Sequence, residues 1–348
     1  MLLSKKSAGI AVVLVSLLLA PCAALGQVSA AEPRPVPVLS GSMGFVPIVQ
    51  GGQTTLVSTV SPVLLAPIGD KWLVESRGAF EGDFARPNPN AGYAGKVNKE
   101  VEYLQLDYIA NRYVTITAGR FLNPFGIYNE RLYPVWIRNL QTDPLILPLE
   151  EDSRNGLMLR GGVVLNSNLS LNYTTFFSVQ DSTNKLESER VLGGRVGAFF
   201  PKQRLEVGAT LQHTLVEDHS NRFGLHFEQQ PLSIPLDVRA EYAHSLEGSG
   251  WWIEPAYKLS QVKLLNGIMR KAQLVSRFQQ FYVGNGQDDD LPSADTKMFE
   301  AGVNYYIFDG FKATASYGRQ FSSASNQNVW TIGLAYRWVL PLGRGGTL

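Results

Sequence analysis

Hydrophobic and polar residues alternate with a period of two along most of the chain beyond residue 50. In residues 72–84, for example, one face carries Trp72 and Phe84 and the other carries Glu75 and Arg77. Successive side chains of a β-strand point to opposite faces, so this period predicts strands that are apolar on one side only. Outside the N-terminal leader, no window fits a helical period better.

The alternating segments recur with turn signals between them. They predict sixteen strands, over 42–50, 54–67, 71–86, 101–111, 113–121, 156–165, 169–181, 189–200, 204–216, 221–229, 235–246, 250–260, 270–283, 296–308, 311–321 and 328–340. The first is the weakest, because Pro47 disfavours a central strand. It is included because the number of strands must be even. The short turn Gly69-Asp70 belongs to the periplasmic side, so the strand before it runs toward that side and needs an antiparallel strand before it in the chain. Fourteen strands with an irregular N-terminal segment are the alternative.

The positions of the large aromatic residues favour a transmembrane barrel over a soluble β-sandwich. Trp330 and Trp338 share a face eight residues apart, which is roughly 19 Å of height in a tilted strand. Trp72 and Phe84 are twelve residues apart, roughly 28 Å by the same estimate. These spacings bracket the band between two aromatic girdles, whereas a sandwich would place large aromatics mid-strand. The sequence therefore predicts an all-β, antiparallel transmembrane β-barrel.

A barrel of this size encloses water, which explains the polar inner face. Backbone groups in hydrocarbon must all be paired, and only closure removes the unpaired edges. At about sixteen strands the lumen is wide enough for water, so charged side chains there are inexpensive. The candidate pore-lining residues are Glu75, Arg77, Arg160, Arg195, Arg239 and Glu241.

The N-terminus indicates that the protein is exported, but the composition does not indicate which solute it takes. The chain has 348 residues, 18% of them charged, with a formal net charge of +1, so nothing indicates a nucleic-acid partner. Residues 1–26 resemble a secretory signal peptide, with Lys5 and Lys6 before an apolar stretch and small residues around Gly26. The single cysteine, Cys22, lies in that leader. We expect residues 27–40 to form a periplasmic segment, 41–340 the barrel, and 341–348 a C-terminal tail.

Residues 122–155 form a long and unusually apolar connection, the third external loop of a sixteen-stranded barrel. Its large apolar residues include Phe125, Ile127, Tyr128, Leu132, Tyr133, Val135, Trp136, Ile137, Leu140, Leu145, Ile146 and Leu147. Such a segment is unlikely to extend into water. We expect it to fold into the lumen and narrow the pore, with Glu130, Arg131 and Arg138 at the constriction. A surface loop packed over the barrel mouth or at a subunit interface is the alternative.

The run Gly119-Arg120-Phe121-Leu122-Asn123-Pro124-Phe125-Gly126 resembles the Gly-x-Phe-x-x-Pro-Phe-Gly run of phosphate-selective porins of the O and P type. The resemblance implies a sixteen-stranded, commonly trimeric outer-membrane channel with inward-folded loops. Phosphate selectivity does not carry over, because inward bases here alternate with inward acids. The Gly-rich tail after Trp338 also departs from the terminal aromatic residue that porins commonly present to the barrel assembly machinery.

No Walker, Gly-x-Ser-x-Gly or His-Glu-x-x-His motif occurs, and the histidines, at 213, 219, 226 and 244, are scattered. Exposed loop or girdle positions explain them best, and Asp288–Asp290 lacks the spacing of a calcium loop. We predict a passive channel for small hydrophilic solutes or ions in the outer membrane of a Gram-negative-type bacterium, without catalytic residues, metal or cofactor. The alternative is an outer-membrane enzyme or adhesin plugged by residues 27–53 and the long loop.

Overall fold

A computed structural model describes residues 36–88, 90–149, 153–179, 190–216, 219–286 and 290–342. The predicted signal peptide, most of the segment 27–40, and the tail beyond residue 342 lie outside these ranges.

Sixteen antiparallel strands close into a single barrel, in which each strand pairs with the next and β1 pairs with β16. The alternative of fourteen strands is wrong. The strands are β1 (Val38–Gln50), β2 (Gln53–Ile68), β3 (Trp72–Arg86), β4 (Ala94–Ile109), β5 (Thr115–Leu122), β6 (Ser153–Asn166), β7 (Leu169–Val179), β8 (Arg190–Phe200), β9 (Leu205–Thr214), β10 (Asn221–Gln229), β11 (Leu236–His244), β12 (Gly248–Lys258), β13 (Ala272–Val283), β14 (Thr296–Phe308), β15 (Phe311–Ser322) and β16 (Gln327–Pro341).

The first strand is a full member of the wall despite Pro47. β1 pairs with β2 along its whole length, including Pro47 opposite Leu56. Its pairing with β16 runs to Phe45 and resumes at Ile48. Proline has no N–H to donate, so its position beside a gap in one ladder is the arrangement that a strand tolerates. Because β1 is wall, residues 38–50 cannot form part of the plug considered in the alternative function.

β4 begins seven residues before its predicted start, so half of the stretch 87–100 between the predicted strands is strand, and the connection shortens to residues 87–93. Pairing of β4 with β5 stops at Leu104 opposite Arg120, whereas pairing with β3 continues to Ala94. The β3–β4 hairpin therefore extends beyond its other neighbour. This extension carries polar residues on both faces, so it lacks the alternation of polar and apolar residues from which the strands are predicted.

The two ends of the barrel differ in their connections. One end, here called the turn end, carries the links 69–71, 110–114, 167–168, 201–204, 230–235, 259–271 and 309–310. Both ends of the barrel chain meet there, since Val38 pairs with Pro341. The opposite end, the loop end, carries the link 51–52 and the remaining connections, of which residues 123–152 between β5 and β6 are the longest. The turn end is not uniformly short, because its link 259–271 is longer than the link 245–247 at the loop end.

The distribution of polarity is the reverse of that in a water-soluble protein. Large apolar side chains cover the outside, with Ile332 69%, Val196 62% and Leu157 60% exposed. Buried polar side chains such as Arg277 and Glu300 lie on the inner faces of their strands. In the described segments no helix has the length and apolar character needed to cross a bilayer.

We expect Ile332→Arg, near the middle of β16, to destabilise the barrel in lipid vesicles by about 2–4 kcal/mol, because it places a cation in hydrocarbon. Denaturant unfolding in vesicles measures this. Leu232→Arg, at an exposed site (76%) in the link 230–235, is the matched control and should be nearly neutral. Equal stability of the two variants would contradict a lipid-facing outer wall.

Candidate pore constriction

The long loop folds into the lumen and packs on the inner wall. Its apolar side chains form one buried cluster with inward-facing residues of β11–β13. The cluster contains Phe125, Ile127, Tyr128, Leu132, Ile146, Leu147, Leu149, Ala243, Trp252, Phe281 and Leu291. Burial inside the barrel, rather than over its mouth, removes these side chains from water. The alternative of a surface loop is therefore wrong.

A second contact joins the loop to the seam of the barrel. Val135 packs with Val46 of β1 and Ala335 of β16. Gly44 of β1 leaves room for this contact, because a Cβ there would lie 2.5 Å from Val135 Cγ2. The loop thus crosses the lumen from the β11–β13 side to the seam.

The carboxylate of Glu241 on β11 fixes the first turn of the loop. It accepts hydrogen bonds from the backbone N–H groups of Ile127 and Tyr128, the latter at 3.1 Å, and from Trp252 Nε1 at 3.0 Å. Glu241 is only 3% exposed. A buried carboxylate of this kind is tolerated because several donors satisfy it.

Further wall residues hold the middle of the loop. Asn139 Nδ2 donates to Glu254 Oε1 at 2.9 Å, and the Asn139 carbonyl accepts from Asn304 Nδ2 at 2.9 Å. Lys312 Nζ donates to the carbonyl of Arg138 at 2.5 Å, and Arg277 Nη2 donates to the carbonyl of Thr142 at 2.6 Å. These bonds satisfy loop backbone groups that an apolar wall would leave unpaired.

Each of the three predicted constriction residues is ion-paired. Glu130 Oε2 lies 2.6 Å from Arg195 Nη1 on β8. Arg131 makes a bidentate contact with Glu206 on β9, at 3.1 and 2.9 Å. Arg131 also lies 3.8 Å from Glu228 of β10.

Arg138 pairs with Asp143 inside the loop, with Nη1 2.7 Å from Oδ1. Its guanidinium also lies 4.4 Å from the ring centroid of Tyr133 and donates to the carbonyl of that residue. Arg138 is therefore held by the loop itself, whereas Glu130 and Arg131 are held by the wall.

The pairing keeps the loop charges ionised. Burial by itself would raise the pKa of Glu130, but the charge of Arg195, its hydrogen bond and the charge of Arg131 together lower that pKa. Burial lowers the pKa of Arg131, but Glu206 and Glu130 outweigh it and the pKa rises. Burial raises the pKa of Tyr128, so its hydroxyl stays protonated.

The six predicted pore-lining residues divide into two sets. Arg195, Arg239 and Glu241 are at most 8% exposed, and two of them are covered by the loop: Arg195 through Glu130, and Glu241 through the loop backbone. Arg239 lies 2.7 Å from Asp237, and both residues line a cavity in the lumen. Arg195 and Glu241 therefore hold the loop, whereas Arg239 faces open space.

The other set lies on β3 and β6. Arg160 Nη2 lies 2.7 Å from Asp107 Oδ2 and 3.9 Å from Glu75 Oε2, and Arg160 is one-third exposed. Arg77 is buried against Glu102 and lies 5.3 Å from the ring centroid of Tyr103. Arg160 and Glu75 therefore offer charge to the lumen, whereas Arg77 is enclosed.

The inner face of β3 carries acids that face the loop. Glu81 lies close enough to Arg138 and Asp143 for electrostatic interaction, and Glu130 likewise interacts with Arg160 of β6. Asp83 is on the same face as Glu81 and pairs in register with Lys96 of β4. The loop and the β3–β6 wall thus present charged groups of both signs to each other.

Space remains on the turn-end side of the loop. A cavity of about 740 Å³ lies between loop residues 134–139 and the inner wall. Polar residues among those that line it are Ser42, Ser61, Asn139, Lys258 and Gln273. Apolar side chains such as Trp136 and Ile137 line the rest of it. This cavity forms a vestibule in the lumen, here called the turn-end vestibule.

Several of these residues were outside the predicted site. Asp143, Glu102, Glu81, Asp107 and Glu206 are not among the predicted site residues. Glu102 follows a shift in the β3–β4 register between Arg77 and Gly78, so simple alternation misplaces it. Which wall residues pair with the loop charges depends on where a 30-residue connection crosses the lumen. Strand periodicity carries no information about that path.

The histidines also differ from expectation in one respect. His226 is buried, with Nε2 3.4 Å from Glu206, on the inner face of β10, so it is neither a loop nor a girdle residue. The rings of His213 and His219 stack at 6.4 Å near the β9–β10 link. In the described ranges, no group of three or more His, Cys, Asp or Glu side chains is arranged to hold a metal ion. Asp218 and Asp288–Asp289 lie outside those ranges.

Solved structures share this architecture. OprB of Pseudomonas putida (TM-score 0.57, 7% identity) aligns over 87% of this chain and 92% of its own. OccK5 (OpdH) of Pseudomonas aeruginosa (0.52, 10%) covers 88% and 99%, and a mutant of the porin of Rhodopseudomonas blastica (0.51, 12%) covers 86% and 100%. The fold is that of an outer-membrane porin.

No family model and no curated protein matches the chain. At identities this low the likeness establishes fold alone. The finer resemblance to porins of the O and P type therefore stays a prediction.

We expect Glu241→Gln to loosen the first turn of the loop, because the amide replaces a charged acceptor of three N–H groups with a neutral one. Single-channel recordings should show larger or noisier conductance, and limited proteolysis should cut the loop faster. Glu247→Gln, in the β11–β12 link 3.8 Å from Arg222, is the matched control and should leave both unchanged. A loop equally protected in both variants would contradict the anchoring role.

The Glu130–Arg195 pair should make the loop acid-sensitive. Because the pKa of Glu130 is lowered in the folded state, the pair contributes stability fully above the ordinary pKa of 4.5 and loses it as pH falls below that value. Thermal unfolding from pH 7 to 3 should show this loss in the wild type and a smaller loss in Glu130→Gln. Parallel pH profiles of the two proteins would contradict the assignment.

Proposed function

We propose that this protein is a passive channel for small hydrophilic solutes or ions across the outer membrane of a Gram-negative-type bacterium. One observation carries the proposal: a loop inside a closed barrel is held by wall residues on one side and faces charged groups of β3–β6 on the other. The turn-end vestibule supports an aqueous path on that side of the loop.

The fold of the solved outer-membrane proteins supports this location, and the apolar outer wall requires a lipid environment. A signal peptide in residues 1–26, recognition by the barrel assembly machinery and a homotrimer belong to the same proposal. We propose no enzymatic activity, and no structural observation favours the enzyme or adhesin alternative.

Local charge suggests a preference for cations at the constriction. Glu75, Glu81 and Asp83 share the inner face of β3, where the single base, Arg77, is neutralised by Glu102. In the loop, the positive charge of Arg138 is compensated by Asp143, whose carboxylate lies 2.7 Å away. Charged side chains at a narrow aqueous level set ion preference, and screening over about 8 Å limits the effect to groups near that level.

Planar bilayer recordings test the channel itself. Purified mature protein should give discrete conductance steps, with a reversal potential in asymmetric KCl that indicates selectivity for potassium. A correctly folded protein that stays closed at every voltage would overturn the proposal. Conduction with chloride selectivity would retain the channel and overturn the cation preference.

We expect Glu81→Lys to shift the reversal potential toward the chloride value, because it reverses a charge facing Arg138 and Asp143. Asp70→Lys makes the same charge change in the exposed β2–β3 turn of the same hairpin and should shift it much less. Reversal potentials under one salt gradient compare the variants. Equal shifts would show that the total charge of the barrel, and not the constriction, sets selectivity.

A further inference from the structure

The outer surface of β13–β16 carries a polar and cationic row near the loop end. Lys297 of β14 lies opposite Gln280 of β13, and Arg319 of β15 lies opposite Asn328 of β16. By the alternation of side chains along each strand, these positions lie on the same outer face as the exposed residues Phe299 and Trp330. Lys297 pairs in register with Phe321, two residues from Arg319, so the two cations are diagonal neighbours on adjacent strands, roughly 7–8 Å apart.

The cations are accessible, although each has a polar neighbour. Arg319 Nη1 donates to Asn328 Oδ1 at 2.6 Å, a neutral acceptor that orients the guanidinium without cancelling its charge. Asp295 lies two residues before Lys297, and its Oδ1 accepts the backbone N–H of Val283 at 3.0 Å. The row therefore keeps a local excess of positive charge.

Aromatic side chains lie directly below this row. The rings of Phe278 and Phe299 are 4.7 Å apart, and those of Tyr317 and Trp330 are 4.4 Å apart. Tyr317 also donates its hydroxyl to Asn328 at 3.1 Å. Aromatic rings next to polar groups mark the boundary between headgroups and hydrocarbon.

Below the aromatic rings the outer wall is indented. The outward positions at Ser276, Ala301 and Ala315 carry small side chains, between larger neighbours such as Leu274, Val303 and Ile332. The result is an apolar groove of about 710 Å³ across β12–β16, here called the outer groove. Four residues separate Ala301 from Lys297, roughly 13 Å along the strand.

We propose that this face binds one anionic, phosphate-bearing lipid of the leaflet at the loop end. Lys297 and Arg319 would contact the phosphate, and an acyl chain would fill the outer groove. The order of cations, aromatic rings and apolar groove matches the order of headgroup, interface and chain in a lipid. The proposal needs the barrel to lie in a bilayer but does not need it to conduct.

Charge complementarity favours a lipid over a second copy of the chain. A two-fold contact through this face would bring Lys297 and Arg319 toward the same cations of the other copy, which is unfavourable. A head-to-tail contact, as in the proposed homotrimer, would need an acidic patch on the opposing face to offset these cations. An anionic headgroup instead neutralises both. Each cation near a membrane surface strengthens binding of an anionic lipid about fivefold.

Native mass spectrometry of the folded mature protein in mild detergent tests the proposal. Dimyristoyl phosphatidylglycerol and dimyristoyl phosphatidylcholine are titrated separately, so only the headgroup differs. We expect one phosphatidylglycerol to bind well before phosphatidylcholine does. Lys297→Gln with Arg319→Gln should weaken the phosphatidylglycerol roughly twentyfold, and Arg190→Gln, an outward cation on β8, should not.

The groove is tested separately by Ala301→Leu with Ala315→Leu, which should weaken both lipids by filling the space for the chain. Slower migration after boiling than before verifies folding of every variant. Equal binding of the two lipids to the wild type, or unchanged binding in the double glutamine variant, would overturn the proposal. So would disulfide-linked dimers of Ala301→Cys in vesicles, which would show that a second copy occupies this face.

Discussion

Closure of the hydrogen-bond ladder is the constraint on which the rest of this structure depends. In hydrocarbon an unpaired edge strand would leave a row of backbone N–H and C=O groups without partners. β1 must therefore meet β16, even though β1 contains a proline. Closure permits the inversion of polarity, because an apolar outer wall and a wet inner wall need a continuous boundary between them. It also creates the lumen in which a long apolar loop can be buried.

The loop shows why the inner wall carries so many buried charges. A 30-residue connection brings backbone groups as well as apolar side chains into the barrel, and both need partners. Glu241 accepts two loop N–H groups, and Lys312 donates to a loop carbonyl. These buried polar groups are inexpensive because the loop backbone supplies hydrogen-bond partners for them. An inner wall that contacted only water would not need charged side chains that are almost completely buried.

Much of the fold follows from periodicity, since alternation is a local property of one strand. It predicts β2, β3 and β7–β16 to within a few residues. It fails where the local rule changes, as at the extended start of β4, where both faces are polar, and at Glu102, where a register shift turns an unexpected carboxylate inward. The apolar composition of residues 122–155 predicts burial, but not which strands receive Glu130 and Arg131. That choice depends on contacts between residues 65 and 75 positions apart in the chain.

Pairing of opposite charges also limits which residues can control an ion path. Arg195 and Glu130 neutralise each other at 2.6 Å, and Arg131 is shared between Glu206 and Glu228. Such pairs hold the loop in place but produce little net electric field in the lumen. In the proposed channel, selectivity would then depend on the balance of charge on the wall opposite the loop, where Glu75, Glu81 and Asp83 of β3 outnumber Arg77 of the same strand. The residues that position the loop and those proposed to select the ion are therefore largely different residues, located on the loop side and on the β3 side of the lumen.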